Sequence, residues 1–95
     1  MVRNHPDEVE FLFEDPHACE VELHGAGPDG RGESWPMDRR ADGLWAIRLR
    51  LDSGWFDFRY LVDHRFWALD SAVRTIVLSD SGRCFSRIER TRSAA

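Results

Sequence analysis

Seventeen carboxylates, thirteen arginines, four histidines and two cysteines are the side chains of this 95-residue chain that could do chemistry. A pair of carboxylates about 5–10 Å apart across a cleft hydrolyses glycosidic bonds. Here, however, Glu8, Glu10, Glu20 and Glu22 alternate with apolar residues, as the solvated partners of buried rows do. The histidines His5, His17, His24 and His64 show no i, i+2 or i, i+4 pairing. Cys19 and Cys84 lie in no CxxC or other metal-type spacing, so neither a metal site nor a cofactor is expected. Cys19 alternates with Val21 and Leu23, which predicts a buried thiol, and a disulfide to Cys84 requires their strands to meet. The glycine-rich run Gly25–Gly32 has no following Lys and no helix to offer an N-terminus, unlike a phosphate loop. With no catalytic constellation left, the expected class is a non-enzymatic binding or interaction module.

The tryptophans carry the remaining signal. Trp45 shares a row with Ile47, Leu49 and Leu51 and is expected in the core. Trp55 has the opposite parity to Phe56 and Phe58 and is expected to face outward or to lie at a sheet edge. Trp67 follows the turn Asp63-His-Arg65, where a stacking platform can be exposed. Trp35, beside Pro36 at the end of the glycine-rich run, is read either as a second contact or as a lid over the sandwich edge. His64 lies close in sequence to Arg59, Asp63 and Trp67.

Strands must position these residues, because the hydrophobic period is two along nearly the whole chain. Val9, Phe11 and Phe13 form one row, and Cys19, Val21 and Leu23 a second. The run Gly25–Ser34 reads as a loop. Two well-patterned strands follow, Trp45–Leu51 and Trp55–Val62, and the short Gly-containing turn between them predicts a hairpin. Further strands are expected at Thr75–Leu78 and Cys84–Glu89. About seven short strands and no helix imply one all-β sandwich over residues 8–89, with 1–7 and 90–95 as flexible tails.

No apolar run approaches the roughly 20 residues of a membrane span, and Met1–Asp7 lacks the apolar stretch of a signal peptide. A cytoplasmic location, away from membranes, is therefore expected. A net charge of -4 argues against nucleic acid, since phosphate binding needs a concentrated basic surface. Every basic residue apart from histidine is Arg, and Asn4 is the sole side-chain carboxamide. Hydroxyl recognition then falls to Arg, Asp, Glu and His.

Several runs, taken in order, carry a family pattern: Val9-Glu-Phe-Leu-Phe13, Ala18-Cys-Glu-Val-Glu-Leu-His-Gly25, Asp42-Gly-Leu-Trp45, Leu49–Asp63, then Trp67 and Asp70. This resembles the early-set, isoamylase N-terminal-like domains (carbohydrate-binding module family 48). These include the glycogen-binding domain of AMP-activated protein kinase beta subunits and accessory domains of glycogen branching and debranching enzymes. The resemblance spans residues 8–89 and implies an immunoglobulin-like (early-set) sandwich. It further implies binding of glycogen, maltodextrin or another α-glucan by two stacking tryptophans, a basic residue and an asparagine. Trp67 falls at the second tryptophan and Arg59 at the basic position. The family's Phe-Asn-x-Trp run is missing, Trp35 is the nearest tryptophan to it, and Phe85 stands at the asparagine. Two readings follow. One is an α-glucan-binding module using Trp67, Arg59, Trp35 and His64. The other is an early-set domain that has lost sugar binding and contacts a protein partner or forms a homodimer.

Overall fold

The computed structural model describes residues 1–52 and 54–90. The expected tail at 90–95 lies, beyond Arg90, outside the described residues. Ten strands run in chain order: β1 Val2–Asn4, β2 Val9–Glu14, β3 Val21–Ala26, β4 Gly32–Pro36, β5 Asp38–Arg39, β6 Leu44–Leu49, β7 Gly54–Val62, β8 Phe66–Ala68, β9 Ile76–Leu78 and β10 Cys84–Arg90. They form two antiparallel sheets. One has the order β1-β2-β6-β5; the other has β4-β3-β7-β10-β9, with β8 paired to β7. The all-β sandwich is thus as expected, with ten strands in place of about seven because several are only two or three residues long.

Alternation builds the core. On β7, Phe56, Phe58, Tyr60 and Val62 are buried, facing Val9 and Phe11 of β2 and Trp45 of β6. The Phe11 ring meets Phe58 edge-on at 4.9 Å and lies 5.7 Å from Phe56, so aromatic contacts span the two layers. Gly25 makes room for this arrangement: a Cβ there would sit 2.2 Å from Cζ of Phe56. The Trp45 indole N–H donates to the carbonyl of Asp15 at 3.0 Å, satisfying its one polar atom. Beneath the core edge, the Tyr60 hydroxyl donates to the buried Asp70 carboxylate at 2.8 Å. Burial, then the Asp70 charge, push the phenol ionisation far above its usual range.

Four sequence expectations are corrected. First, β6 and β7 are not a hairpin: β6 pairs with β2 and β5, whereas β7 pairs with β3, β8 and β10. Their inward rows meet face to face across the sandwich rather than side by side. Second, the set-aside residues 1–7 contribute an edge strand, with Val2 opposite Phe11 and Asn4 opposite Val9. Third, Cys19 is exposed, as is Cys84, and both are free thiols. The alternation starts only at Val21, because the amides of Cys19 and Glu20 turn to donate to Asp63 Oδ1 at 2.7 and 2.9 Å. The expected loop at 25–34 is shorter than its glycine content suggests, since β3 and β4 pair as far as Ala26 opposite Gly32.

Candidate functional site

The outward row of the six-stranded sheet gathers the side chains that can contact a ligand. Parity fixes the row: Leu61, Arg59, Asp57 and Trp55 project from β7 opposite to the buried phenylalanines. Register places His24 beside Arg59, Leu61 beside Trp67, and Arg87 beside Asp57. All of these but Leu61, together with Phe85 and Val77, line a groove of about 990 Å³.

Two arginine–aromatic stacks organise this face. The Arg59 guanidinium lies 3.5 Å from the Trp67 ring centroid and 4.8 Å from that of Phe85, so it is held between them. His24 approaches the Trp67 indole edge-on at 5.0 Å. Trp67 nevertheless stays 47% exposed, whereas Arg59 beneath it is 8% exposed. Burial, helped by the charge of Arg83, lowers the Arg59 pKa. Its Nε has no hydrogen-bond partner among the described residues. In the second stack, Arg87 sits 4.5 Å from the Trp55 centroid and bonds Asp57 through two N–H groups at 2.6 and 2.9 Å. Those bonds to Asp57 raise the Arg87 pKa against the opposing effect of desolvation.

A tight turn aims Trp67 at the groove. Asp63 and His64 have φ of 52° and 56°, the left-handed conformation of the two central residues of a type I′ turn, and Arg65 N–H donates to Val62 C=O at 3.0 Å. Asp63 tolerates this conformation and anchors the loop before β3 through its carboxylate. His64 lies in the same turn, its Nε2 against Glu20 and its Nδ1 3.8 Å from Glu22. Glu22 also bonds His24 Nε2 at 3.2 Å.

Of the four residues singled out in the sequence, Trp67 and Arg59 are thus brought into contact. His64 is at the end of the same face, engaged by carboxylates. Trp35 is elsewhere: it pairs with Leu23 on the inward side of β4 and packs 6.2 Å from Phe56. There it is half-buried against the core cluster, away from Trp67 and Arg59. Arg59, expected as an open hydroxyl partner, is covered, because Trp67 and Phe85 close over it from β8 and β10. Sequence reasoning missed His24 as a Trp67 neighbour and Phe85 as the far side of the clamp. The outward parity of His24 opposite Arg59 was available, but only the strand pairing joins them. Among the described residues, no group of three or more His, Cys, Asp or Glu could hold a metal ion.

No protein-family model matches the sequence, and no curated protein matches it significantly. Solved structures do match. Pullulanase type I from Bacillus subtilis str. 168, complexed with maltose, superposes with a TM-score of 0.72 at 18% identity, over 94% of this chain and 12% of that one. The fold is one that pullulanases contain. Pullulanase from Anoxybacillus sp. LM18-11, complexed with maltotetraose, gives 0.70 at 21% identity over 90% and 13% of the two chains. Apo pullulanase from Paenibacillus barengoltzii gives 0.63 at 23% identity over 90% and 14%. The present chain therefore spans about an eighth of the length of these enzymes.

Proposed function

We propose that the outer face of the six-stranded sheet is a non-catalytic α-glucan-binding surface, with Trp67 as its stacking platform. The observation that carries this reading is the Trp67 indole, held in place from below by Arg59 at 3.5 Å yet 47% exposed. A pyranose ring has an apolar C–H face that lies on such an indole, while polar groups at the rim fix its orientation. His24, Ser34 and Asp80 in the groove, with His64 beyond its end, supply that rim. Arg59 contributes through the indole it clamps. The similarity to pullulanases solved with maltose and maltotetraose supports the same ligand class. With one platform and an open groove, binding is shallow, at about millimolar Kd.

Tryptophan fluorescence during titration with maltoheptaose and β-cyclodextrin, with cellohexaose as control, tests the reading. A saturable change with the α-glucans alone is expected. Trp67→Ala abolishes it in a protein whose circular dichroism is unchanged, and Trp35→Ala retains it. No response at about 10 mM α-glucan overturns the reading and leaves a protein-contact module. The feature favouring that alternative is exposed apolar surface on two strands, with Phe66 64% and Leu78 70% exposed.

A further inference from the structure

β9 ends the six-stranded sheet, with no strand among the described residues on its far side. Thr75 C=O accepts from Arg87 N–H at 2.9 Å and Ser79 N–H donates to Arg83 C=O at 2.8 Å, with Val77 opposite Phe85 between them. The odd-numbered residues therefore bond to β10. In an antiparallel ladder the N–H and C=O groups of Ile76 and Leu78 must then point outward, away from the sheet. Their side chains are also uncovered, at 58% and 70% exposure. Edge strands are ordinarily blocked by charge, proline or a bulge. The other strands that end the sheet paths carry Arg3 on β1, Glu33 and Pro36 on β4, and Asp38 and Arg39 on β5. The stretch Thr75-Ile-Val-Leu-Ser79 carries no charge and no proline.

The geometry points to antiparallel pairing of β9 with β9 of a second copy of this chain, about a twofold axis through Val77. In that register Ile76 faces Leu78 of the second copy, Thr75 faces Ser79, and Arg74 faces Asp80. Each apolar residue meets an apolar one, and each charge meets its opposite. The hydrogen-bonding parity agrees, because Ile76 and Leu78 are the residues whose backbone groups are free. A slip of two residues either way sets Leu78 against Arg74 or Ile76 against Asp80. A slip of one pairs free backbone groups with those already bonded to β10. Arg74 and Asp80 are both exposed and form no ion pair among the described residues. This complementarity under reversal, Arg74-Thr-Ile-Val-Leu-Ser-Asp80, is what an isologous contact requires and what a foreign strand does not. It selects a second copy as the occupant. The dimer joins the two sheets edge to edge and presents both Trp67 grooves on one continuous face.

Analytical ultracentrifugation from about 10 µM to 1 mM tests this, since so short an edge makes a weak interface. The wild type shifts from monomer toward dimer over that range. Ile76→Lys stays monomeric, with unchanged circular dichroism. Arg74→Glu weakens association about tenfold at low salt by replacing two attractive contacts with two repulsive ones. Combining Arg74→Glu with Asp80→Arg restores it to within about twofold of the wild type. A wild type that is monomeric at 1 mM, or an Ile76→Lys variant that dimerises normally, overturns the pairing. Failure of the double charge reversal to restore association overturns the register. Ile76 and Arg74 lie outside the groove and Asp80 lines it, but association is read without sugar, so these outcomes are independent of whether the module binds it.

Discussion

Alkaline titration of the one tyrosine in the chain gives a direct measure of how tightly the core is closed. Tyr60 is fully buried and donates its hydroxyl to the buried Asp70 carboxylate. Its folded-state pKa is raised, first by burial and then by the Asp70 charge and hydrogen bond. In the unfolded chain the phenol ionises near pH 10. Below that pH both states keep the proton, and the stabilisation is fully present. Above it the unfolded chain releases a proton that the native state retains. Stability then falls by about 1.4 kcal/mol for each further pH unit. At pH 11 the accumulated loss is about 1.4 kcal/mol, or roughly 6–11 °C in Tm for a domain of this size. Tyr60→Phe removes this slope. At neutral pH the same variant costs about 1.5–3 kcal/mol, because a hydrogen bond to a buried charged group is lost. The assay is thermal unfolding from pH 8 to 11.5 for both proteins, alongside tyrosinate absorbance at 295 nm. Tyrosinate should appear only as the native circular dichroism is lost. Ionisation near pH 10 in a protein that remains folded, or equal slopes for the two proteins, would refute the reasoning.

Two further pairs of substitutions probe the framework that carries the groove. Gly25→Val should destabilise the fold by about 1–3 kcal/mol, read from urea unfolding, because its Cβ would meet the Phe56 ring at 2.2 Å. Gly32→Val, on the neighbouring strand with nothing within 4 Å, should be nearly silent. His64→Gly should raise stability by about 1 kcal/mol by relieving a left-handed conformation with φ 56°. Asp63→Ala should lower it by about 1–3 kcal/mol, since the amides of Cys19 and Glu20 lose their acceptor. Equal melting temperatures for these two turn variants would show that the turn does not hold Trp67 in the way described.

The sequence displayed its rows but not its neighbours. Alternation states which residues of a strand face inward, so Phe11, Trp45, Phe56 and Phe58 were legible as core. It does not state which strand lies alongside, and the inward rows of β6 and β7 are satisfied equally well beside or across from one another. A short turn favoured the first arrangement, whereas the chain passes between the sheets. β1 and β5, three and two residues long, offer too little alternation to register as strands. At the site, Trp67 and Arg59 were visible as types at plausible positions. The clamp around Arg59 was not, because its walls come from β8 and β10, strands joined only by tertiary pairing. Cys19 misled for the opposite reason: an alternation that looked continuous was cut by amides committed to Asp63, more than forty residues away.

The position of β7 sets the order in which the molecule can assemble. It touches β3, β8 and β10, so two of its three pairings join segments some 30–40 residues apart along the chain, and only β8 is local. Large loops must therefore close before the six-stranded sheet gains its stabilising contacts. Chains dominated by such distant pairings fold in roughly milliseconds to seconds rather than microseconds. The Trp67 groove needs β3, β8 and β10 together around β7 and so cannot be complete before those distant pairings close. A change in Trp67 fluorescence during refolding should therefore lag the closing of those pairings.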